Sequence, residues 1–484
     1  MGILSGLKPE KVFTYFEEIA RIPHGSGNVG AISDYLAGFA RERGLQYIQD
    51  QVKNVIIIKE ATPGYEQEPA LILQGHMDMV AVHKPELAID MTREPLKLAV
   101  DGDRIYAVGT SLGGDDGIAV AYALALLDDD TLRHPRLEVV ITVDEEVGMD
   151  GARAIDLSML QGHRLLNLDS EEEGIFLTSC AGGARIHCTV DMQEQCREMR
   201  GEIFELTVGG LQGGHSGAEI HKERGNSNML MARLLQKLAG SIRMGLCDCQ
   251  GGLADNAIPR VTKARVLVEK EDQARFVEWV ARYDAVLRNE LATKDPDVSV
   301  TAASQGTGTE RCLTGDGLRR AADYLYSLPC GVQAMSADVP GLVETSLNLG
   351  ILKVCGGKVE AEFSVRSCVD SSKLALLDKV QALTALAGGR CEITGDYPGW
   401  AYRVDSPLRD KMIALYEEMY GEKPRVEAIH AGLECGILAS KIADLDGISF
   451  GPNMYDIHTT EETLSISSTQ RVWEYLVRLL ETKG

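Results

Sequence analysis

The chain has 484 residues, a formal net charge of -23 and 44% hydrophobic residues. Its length predicts at least two domains, each with its own hydrophobic core. The acidic excess argues against nucleic acids and membrane surfaces as partners, because both bind through basic surfaces. The eleven cysteines include no C-x-x-C pair, the N-terminus does not resemble a signal peptide, and no apolar run reaches about 20 residues. These features predict a cytoplasmic protein with reduced thiols.

Helices and strands alternate over the first part of the chain. Apolar residues recur at helical spacing in residues 9–20 and about 29–43, and residues 118–127 are typical of a buried helix. Short, continuously apolar runs predict buried strands at residues 55–59, 70–74, 137–143 and 163–168. The alternation predicts an α/β domain whose mixed sheet has helices on both faces.

Three of these predicted strands end in side chains that can bind metal ions. One is followed by His76 and Asp78, which point to the same side of an extended chain because strands alternate faces. The next is followed by Glu145 and Glu146, and the last by Asp169. Ligands of α/β sheets bind beyond the carboxyl ends of the strands, so these side chains are expected to share one site.

Each candidate also has an ordinary structural explanation. An isolated His-x-Asp pair usually satisfies its own buried hydrogen bonds, Asp115 suits a helix N-cap, and acidic runs are usually exposed. The joint pattern of imidazole and carboxylate groups without thiolates suits Zn²⁺, with Mn²⁺ or Co²⁺ as alternatives. One tetrahedral ion needs fewer ligands than the candidate residues supply, which indicates two ions that share a carboxylate. The candidates are His76, Asp115, Glu145, Glu146, Asp169 and His458.

The pattern changes after residue 183 and changes back near residue 397. Residues 184–396 predict an inserted α+β domain with an antiparallel sheet, and residues 1–183 and 397–484 predict the first domain. The predicted strands of the insertion include residues 184–190, 203–208, 265–268, 298–303, 345–349 and 360–365. Its predicted helices are residues 227–238, 274–287, 317–327 and 372–386, and the first domain resumes with helices at 408–420 and 468–480.

Several motifs follow one another along the chain. They are Gly75-His76-Met77-Asp78, Gly114-Asp115-Asp116-Gly117, Asp144-Glu145-Glu146-Val147-Gly148, Leu168-Asp169, Gly214-His215-Ser216-Gly217 and the segment around His458. In type and order these motifs resemble those of the dizinc metallopeptidases that include carnosinases, aminoacylases, succinyl-diaminopimelate desuccinylase and carboxypeptidase G. Segments 430–436 and 450–453 are most similar to a bacterial dipeptidase branch with a long lid. The resemblance implies a zinc-exopeptidase-like catalytic domain and an inserted lid that also dimerises.

The resemblance implies a specific set of metal ligands. His76 and Asp169 would hold one zinc ion, Glu146 and His458 would hold the other, and Asp115 would bridge the two. Two Zn²⁺ per chain are therefore expected, although the same ligands also accept Mn²⁺ or Co²⁺. The resemblance further implies a cis peptide bond after Asp115.

Three further residues receive catalytic roles from the resemblance. Asp78 would orient His76 without touching the metal. Glu145 would be the general base that takes a proton from the attacking water and later gives it to the leaving amine. His215, on the lid, would donate a hydrogen bond to the oxyanion, either in its own site or in that of a partner chain.

The resemblance also suggests substrate-binding residues, each with an ordinary alternative. Arg366 matches an arginine that grips the substrate carboxylate, but an arginine on a strand can simply face solvent. Asn256 matches a lid asparagine near the substrate. Glu434 is expected either to set specificity by contact with a substrate ammonium or imidazole group, or only to begin a helix.

The motifs predict metal-dependent hydrolysis of unblocked dipeptides. The overall resemblance to the dipeptidase branch implies a preference for a C-terminal histidine, as in beta-alanyl-histidine. The alternatives are an N-acyl amino-acid amidohydrolase and a non-catalytic metal-binding protein on the same fold. The expected partners are small dipeptides and a second copy of the chain, bound through the lid domain. Alternatively, the protein is a monomer whose lid domain closes over its own site.

Overall fold

The structure, a computed structural model that describes residues 2–483, consists of two compact units. Unit 1 comprises the residues up to Ser179, Tyr402–Ala428, and the residues from Leu433 onward. Unit 2 comprises Cys180–Ala401 and Ile429–Gly432. The short return of the chain to unit 2 at Ile429–Gly432 was not anticipated from the sequence. The catalytic and lid roles expected for the two domains stay predictions.

The helices agree with the apolar periodicity of the sequence. Predicted and observed ends differ mostly by one or two residues, as expected where helix ends fray. The α-helices in the described part of the chain are α1 (Glu10–Ala20), α2 (Gly30–Glu42), α3 (Gly114–Leu127), α4 (Asp150–Ala154), α5 (Ser227–Ala239), α6 (Gln273–Glu290), α7 (Gly315–Ser327), α8 (Asp370–Leu386), α9 (Pro407–Tyr420), α10 (Glu434–Lys441) and α11 (Ile466–Glu481).

The strands are more numerous than the sequence indicated, chiefly because polar edge strands lack a continuous apolar run. The strands among residues 2–483 are β1 (Gln46–Gln49), β2 (Val55–Lys59), β3 (Leu71–His76), β4 (Leu98–Asp101), β5 (Arg104–Ala107), β6 (Leu137–Thr142), β7 (Arg164–Asn167), β8 (Ile175–Cys180), β9 (Gly182–Asp191), β10 (Cys196–Gly209), β11 (Gly214–His215), β12 (Met244–Gly251), β13 (Ala257–Ile258), β14 (Thr262–Val268), β15 (Ser299–Thr314), β16 (Gly331–Met335), β17 (Val343–Cys355), β18 (Lys358–Ser367), β19 (Arg390–Tyr397), β20 (Arg425–Ile429), β21 (Asp446–Ser449), β22 (Met454–Tyr455) and β23 (Thr463–Ser465).

Unit 1 is built around an eight-stranded mixed sheet with the order β1-β2-β6-β3-β7-β21-β8-β20. Its four central strands, β6, β3, β7 and β21, run parallel, whereas β1 and β2 pair antiparallel at one side. Parallel strands in the middle of a sheet are buried on both faces, and every residue of β3 and β6 is buried. Every residue of α3 is buried, in agreement with its apolar sequence. The predicted α/β fold class is confirmed.

Unit 2 contains a nine-stranded sheet in which every pair of strands is antiparallel. The strand order is β14-β10-β15-β12-β17-β18-β9-β19, with β16 paired to β17. Helices α5, α6, α7 and α8 pack their apolar side chains into the same core as these strands. Among residues 2–483 no helix is both long enough and apolar enough to cross a bilayer.

Candidate metal centre

The parallel strands of unit 1 bring the predicted site segments to one edge of the sheet. β3 lies between β6 and β7 and pairs in parallel with both. His76 at the end of β3 lies opposite Thr142 at the end of β6. The turn with Glu145 and Glu146 follows β6, and Asp169 follows β7. Because parallel strands end at the same edge, these side chains converge there.

Helix α3 places Asp115 beside His76, because Gly75 leaves room for the helix. A Cβ atom on Gly75 would lie 2.5 Å from Oδ2 of Asp116 and 2.6 Å from Cβ of Ala119. This close approach of helix and strand therefore requires glycine. Asp115 and Asp116 are joined by a cis peptide bond, as the resemblance implied. Oδ2 of Asp116 accepts a hydrogen bond from the backbone N–H of His76 at 3.2 Å.

One group of candidate ligands consists of His76, Asp115 and Asp169, whose ligand atoms lie within 4.8 Å of one another. Nε2 of His76 is 3.1 Å from Oδ1 of Asp115 and 3.5 Å from Oδ1 of Asp169. The Nδ1–H group of His76 donates to the backbone carbonyl oxygen of Asp78 at 3.0 Å. In the neutral imidazole, Nε2 therefore carries the lone pair and faces two carboxylates.

The second group consists of Asp115, Glu146 and His458, also within 4.8 Å of one another. Nε2 of His458 is 3.1 Å from Oδ2 of Asp115 and 3.0 Å from Oε1 of Glu146. This Glu146 oxygen is buried. Asp115 belongs to both groups through different oxygen atoms, since Oδ1 faces His76 and Oδ2 faces His458. The structure thus brings all five predicted ligands together.

The spacing and charge of these groups fit divalent cations. Two ligands that each lie about 2.0–2.1 Å from a tetrahedral ion are about 3.4 Å apart. The imidazole and carboxylate atoms of the two groups are separated by 3.0 to 3.5 Å. Three carboxylates gathered in a largely buried site also need positive charge close by. Nitrogen and oxygen donors without thiolate suit Zn²⁺, Mn²⁺ or Co²⁺.

Interactions within the cluster shift the pKa values of its members. Burial lowers the pKa of His76, but contacts with Asp115 and Asp169 outweigh this effect and raise that pKa well above its usual value. The contact with Asp115 raises the pKa of His458 to about 10. Burial raises the pKa of Asp169 to about 6 and the pKa of Glu145 to about 9. A bound cation would favour charged carboxylates and neutral imidazoles.

Asp78 connects His76 to the turn that carries Glu145. Oδ1 of Asp78 lies 3.5 Å from Nδ1 of His76 and accepts a hydrogen bond from the backbone N–H of Glu145 at 3.1 Å. Oδ2 of Asp78 accepts a hydrogen bond from Oγ of Ser26 at 2.8 Å. The half-buried carboxylate of Glu145 belongs to neither group of candidate ligands. Asp78 can therefore hold the imidazole while Glu145 keeps its carboxylate available.

Glu434, the predicted specificity residue, is buried beside the ends of β3 and β6. Glu434 has no exposed surface and lies in the first turn of α10. Its Oε2 accepts hydrogen bonds from Nε2 of Gln74 at 2.5 Å and from Oγ1 of Thr142 at 2.6 Å. Burial raises the pKa of Glu434 to about 7. Oε2 therefore binds the ends of β3 and β6, whereas Oε1 is buried without a hydrogen-bond partner. The contact of Glu434 with a substrate group stays a prediction.

Unit 2 gathers a separate set of predicted residues around Gly217. A Cβ atom on Gly217 would lie 3.0 Å from Cε1 of His215, 3.1 Å from Nε of Arg366 and 2.7 Å from the carbonyl oxygen of His430. Nδ1 of His215 accepts hydrogen bonds from the backbone N–H groups of Gly217 and Ala218 at 3.3 and 3.1 Å. In neutral His215 the proton is therefore on Nε2, which can donate to a ligand.

Arg366 and Asn256 lie close to this histidine within unit 2. The buried Nε of Arg366 has no hydrogen-bond partner, and its Nη1 donates to the Tyr397 hydroxyl at 3.4 Å. The carbonyl oxygen of exposed Asn256 accepts a hydrogen bond from the backbone N–H of Ser216 at 2.8 Å. A half-buried guanidinium with an unused Nε–H donor is suited to bind an anionic group. Tyr397 and His430, which the sequence did not single out, also contact or face Arg366.

Glu462 is a further residue that the sequence did not indicate. Its buried carboxylate accepts hydrogen bonds from the backbone N–H groups of Leu112 and Gly114, both at 2.8 Å, and from those of Gly113 and Asp115 at longer distances. Glu462 follows His458 by four residues, so it ties the His458 segment to the loop that presents Asp115. Sequence alone shows only an acidic pair after a histidine.

We expect Glu462→Gln to lower the free energy of unfolding by about 1–3 kcal/mol, because an amide cannot satisfy four buried N–H groups as a carboxylate does. Urea denaturation of the purified protein measures this change. The matched control is Glu461→Gln, because Glu461 is exposed and pairs with the surface residue Lys84. The control is expected to change stability by less than about 0.5 kcal/mol. Equal losses in both variants would contradict the proposed anchoring.

Comparisons with known proteins agree with this site. The sequence pattern of peptidase family M20/M25/M40 matches residues 72–482. The chain is 36% identical over 481 residues to the cytosol non-specific dipeptidase of Escherichia coli (strain K12), with 99% of each chain covered. The crystal structure of aminoacylhistidine dipeptidase from Vibrio alginolyticus superimposes with a TM-score of 0.94 and 36% identity, over 99% of this chain and 98% of that one.

A more distant structure shares the fold. Aminopeptidase PepT from Bacillus cereus superimposes with a TM-score of 0.55 at 14% identity, over 98% of both chains. The resemblance to bacterial aminoacyl-histidine dipeptidases that the motifs predicted is confirmed by the two full-length relatives. The family pattern covers most of the chain and includes every candidate ligand from His76 to His458. The chain therefore belongs to peptidase family M20/M25/M40.

Proposed function

We propose that this protein is a metal-dependent dipeptidase that hydrolyses the peptide bond of unblocked dipeptides. The observation that carries the proposal is the pair of imidazole-carboxylate groups that share Asp115. The names of the full-length relatives, a non-specific dipeptidase and an aminoacylhistidine dipeptidase, support the substrate class. The second name supports a preference for Xaa-His dipeptides such as beta-alanyl-histidine.

We assign His76 and Asp169 to one ion, Glu146 and His458 to a second, and Asp115 to both. Zn²⁺ is the ion we propose, because the donors are imidazole and carboxylate, and Mn²⁺ or Co²⁺ would fit the same donors. When bound, such ions activate water as a nucleophile and polarise the substrate carbonyl. The role of the protein is to hold the five ligands and to move protons.

Glu145 is the proposed general base. Its carboxylate belongs to neither candidate ligand group, and the hydrogen bond from its backbone N–H to Asp78 places it beside His76. Glu145 takes the proton of the attacking water and returns it to the amine that leaves. Asp78 is a positioning residue, because it fixes the imidazole of His76 through the Nδ1–H group.

Residues of unit 2 are proposed to bind the substrate. Arg366, whose buried Nε has no hydrogen-bond partner, pairs with the C-terminal carboxylate of the dipeptide. His215 donates from Nε2 to the oxyanion of the tetrahedral intermediate, since its Nδ1 is occupied as an acceptor. Asn256, whose backbone contacts the His215 segment, contributes a further polar group. We also propose a homodimer through unit 2 and a cytosolic location, the latter from the relative's name.

A matched pair of substrates tests the proposed function. Beta-alanyl-histidine and N-acetyl-histidine release the same histidine, but only the first has a free amine. We expect faster hydrolysis of beta-alanyl-histidine, loss of activity when a chelator removes the metal, and recovery when Zn²⁺ is restored. Elemental analysis of the same samples measures the metal. Faster cleavage of N-acetyl-histidine would indicate an amidohydrolase, and full activity after metal removal would contradict metal dependence.

A further inference from the structure

Two cysteines lie directly opposite each other on neighbouring strands of unit 2. Cys188 of β9 is the register partner of Cys391 of β19. Their Sγ atoms are 3.0 Å apart, and both cysteines are free thiols. This pair is therefore already aligned for chemistry between two sulfur atoms.

The backbone geometry allows a bond between these sulfur atoms. Residues opposite each other in an antiparallel ladder have Cα atoms about 4.5–5.5 Å apart. This separation falls within the range of about 4.4–6.8 Å found for disulfides. The sulfur atoms, now at 3.0 Å, need to approach by only about 1 Å to reach bonding distance. Small rotations of the side chains can provide this movement while the strand pairing stays in place.

The two thiols differ in exposure and in acidity. Cys188 is 1% exposed, whereas Cys391 is partly exposed and lies on β19, the last strand of the sheet. The hydrogen bond from the Cys188 thiol lowers the pKa of Cys391 to about 7. The hydroxyl of Thr384 on α8 also interacts with both sulfur atoms and forms a 2.9 Å hydrogen bond with Tyr324. Cys391 is thus the more accessible and more nucleophilic thiol.

We propose that Cys188 and Cys391 form a reversible oxidation site, in which a peroxide converts the dithiol to an intrachain disulfide. The Cys391 thiolate attacks one oxygen of hydrogen peroxide, the O–O bond breaks, and the products after protonation are a sulfenic acid and water. The Cys188 thiol then attacks the sulfenic sulfur, and a second water leaves as the disulfide forms. The oxidation state of each sulfur atom rises by one, and the peroxide is reduced to water. A thiol reductant reverses the reaction.

This site is independent of the proposed dipeptidase reaction. The bond would join the edge strand β19 covalently to β9 inside unit 2, and none of the candidate metal ligands takes part. Transient, oxidant-dependent disulfides of this kind are compatible with a reducing compartment. The partly exposed thiol would react first, and the buried thiol would protect it from further oxidation by closing the bond.

Peptide mapping of the folded, full-length protein tests the proposal. The protein is freed of reductant, treated with hydrogen peroxide, alkylated to block remaining thiols and digested for mass spectrometry. We expect a cross-linked peptide pair that contains Cys188 and Cys391, lacks two hydrogen atoms, and carries no alkyl group at either position. Dithiothreitol is expected to restore both alkylation sites.

Two variants make the test specific. In Cys188→Ser, the cross-link is expected to disappear and dimedone is expected to trap a sulfenic acid on Cys391. The control Cys355→Ser removes an exposed thiol and is expected to leave the cross-link unchanged. If the Cys188 variant does not fold, Cys391→Ser, at a partly exposed position, must abolish the cross-link. Oxidation of Cys355 without any Cys188–Cys391 cross-link, or a cross-link confined to other cysteines, would overturn the proposal.

Discussion

Glu145→Gln is expected to lower kcat for beta-alanyl-histidine by about 10²- to 10⁴-fold while the protein keeps its metal. The amide has nearly the same size as the carboxylate but cannot accept the proton of the attacking water. The backbone N–H of Glu145 that binds Asp78 remains in the variant, so His76 should keep its orientation. The loss should therefore appear in kcat, with little change in metal content.

Steady-state kinetics and elemental analysis of the same preparation measure these two quantities. The matched control is Asp150→Asn, which removes an exposed carboxylate a few residues further along the chain. The control is expected to keep kcat within about twofold, since an exposed charge outside the ligand groups contributes little. Undiminished turnover in Glu145→Gln would show that another group carries the proton. A variant without metal would instead indicate that Glu145 is a ligand.

The sequence was most informative where burial and local pattern coincide. β3, β6 and β7 lie in the middle of a sheet, so they contain short apolar runs, and the metal-binding residue types that follow them stand out. The sequence alone therefore predicts that His76 and Asp169 lie at one edge of the sheet. Helices such as α11, with one apolar face, were equally apparent because their spacing is local.

Other features depend on contacts between residues that are far apart in the chain. Glu462 accepts hydrogen bonds from amides about 350 positions earlier, and nothing in its own neighbourhood reveals them. Glu434 has the sequence of a helix start, yet its carboxylate is enclosed by Gln74 and Thr142. The polar edge strand β19 was missed because most of its side chains are exposed, which removes the apolar signal of a strand.

The position of Asp115 leads to a prediction about metal stoichiometry. Its two carboxylate oxygens face different histidines, so one side chain is proposed to serve both ions. Asp169 and Glu146 each belong to only one group of candidate ligands. Removing Asp115 should therefore affect both ions, whereas removing either of the other carboxylates should mainly affect one.

We expect Asp115→Ala to weaken the binding of both metal ions by more than about 100-fold. This loss of affinity is larger than the loss expected when a residue that only supports a ligand is removed. Asp169→Ala is expected to retain one ion per chain under the same conditions. Elemental analysis after dialysis against a fixed free Zn²⁺ concentration measures the stoichiometry, and circular dichroism checks that each variant is folded. If Asp115→Ala lost only one ion, the carboxylate would be a terminal ligand of a single centre. If Asp169→Ala lost both ions as readily as Asp115→Ala, the two centres would bind metal cooperatively. The bridging role of Asp115 would then lose its support, because removing a ligand of one ion would have the same effect.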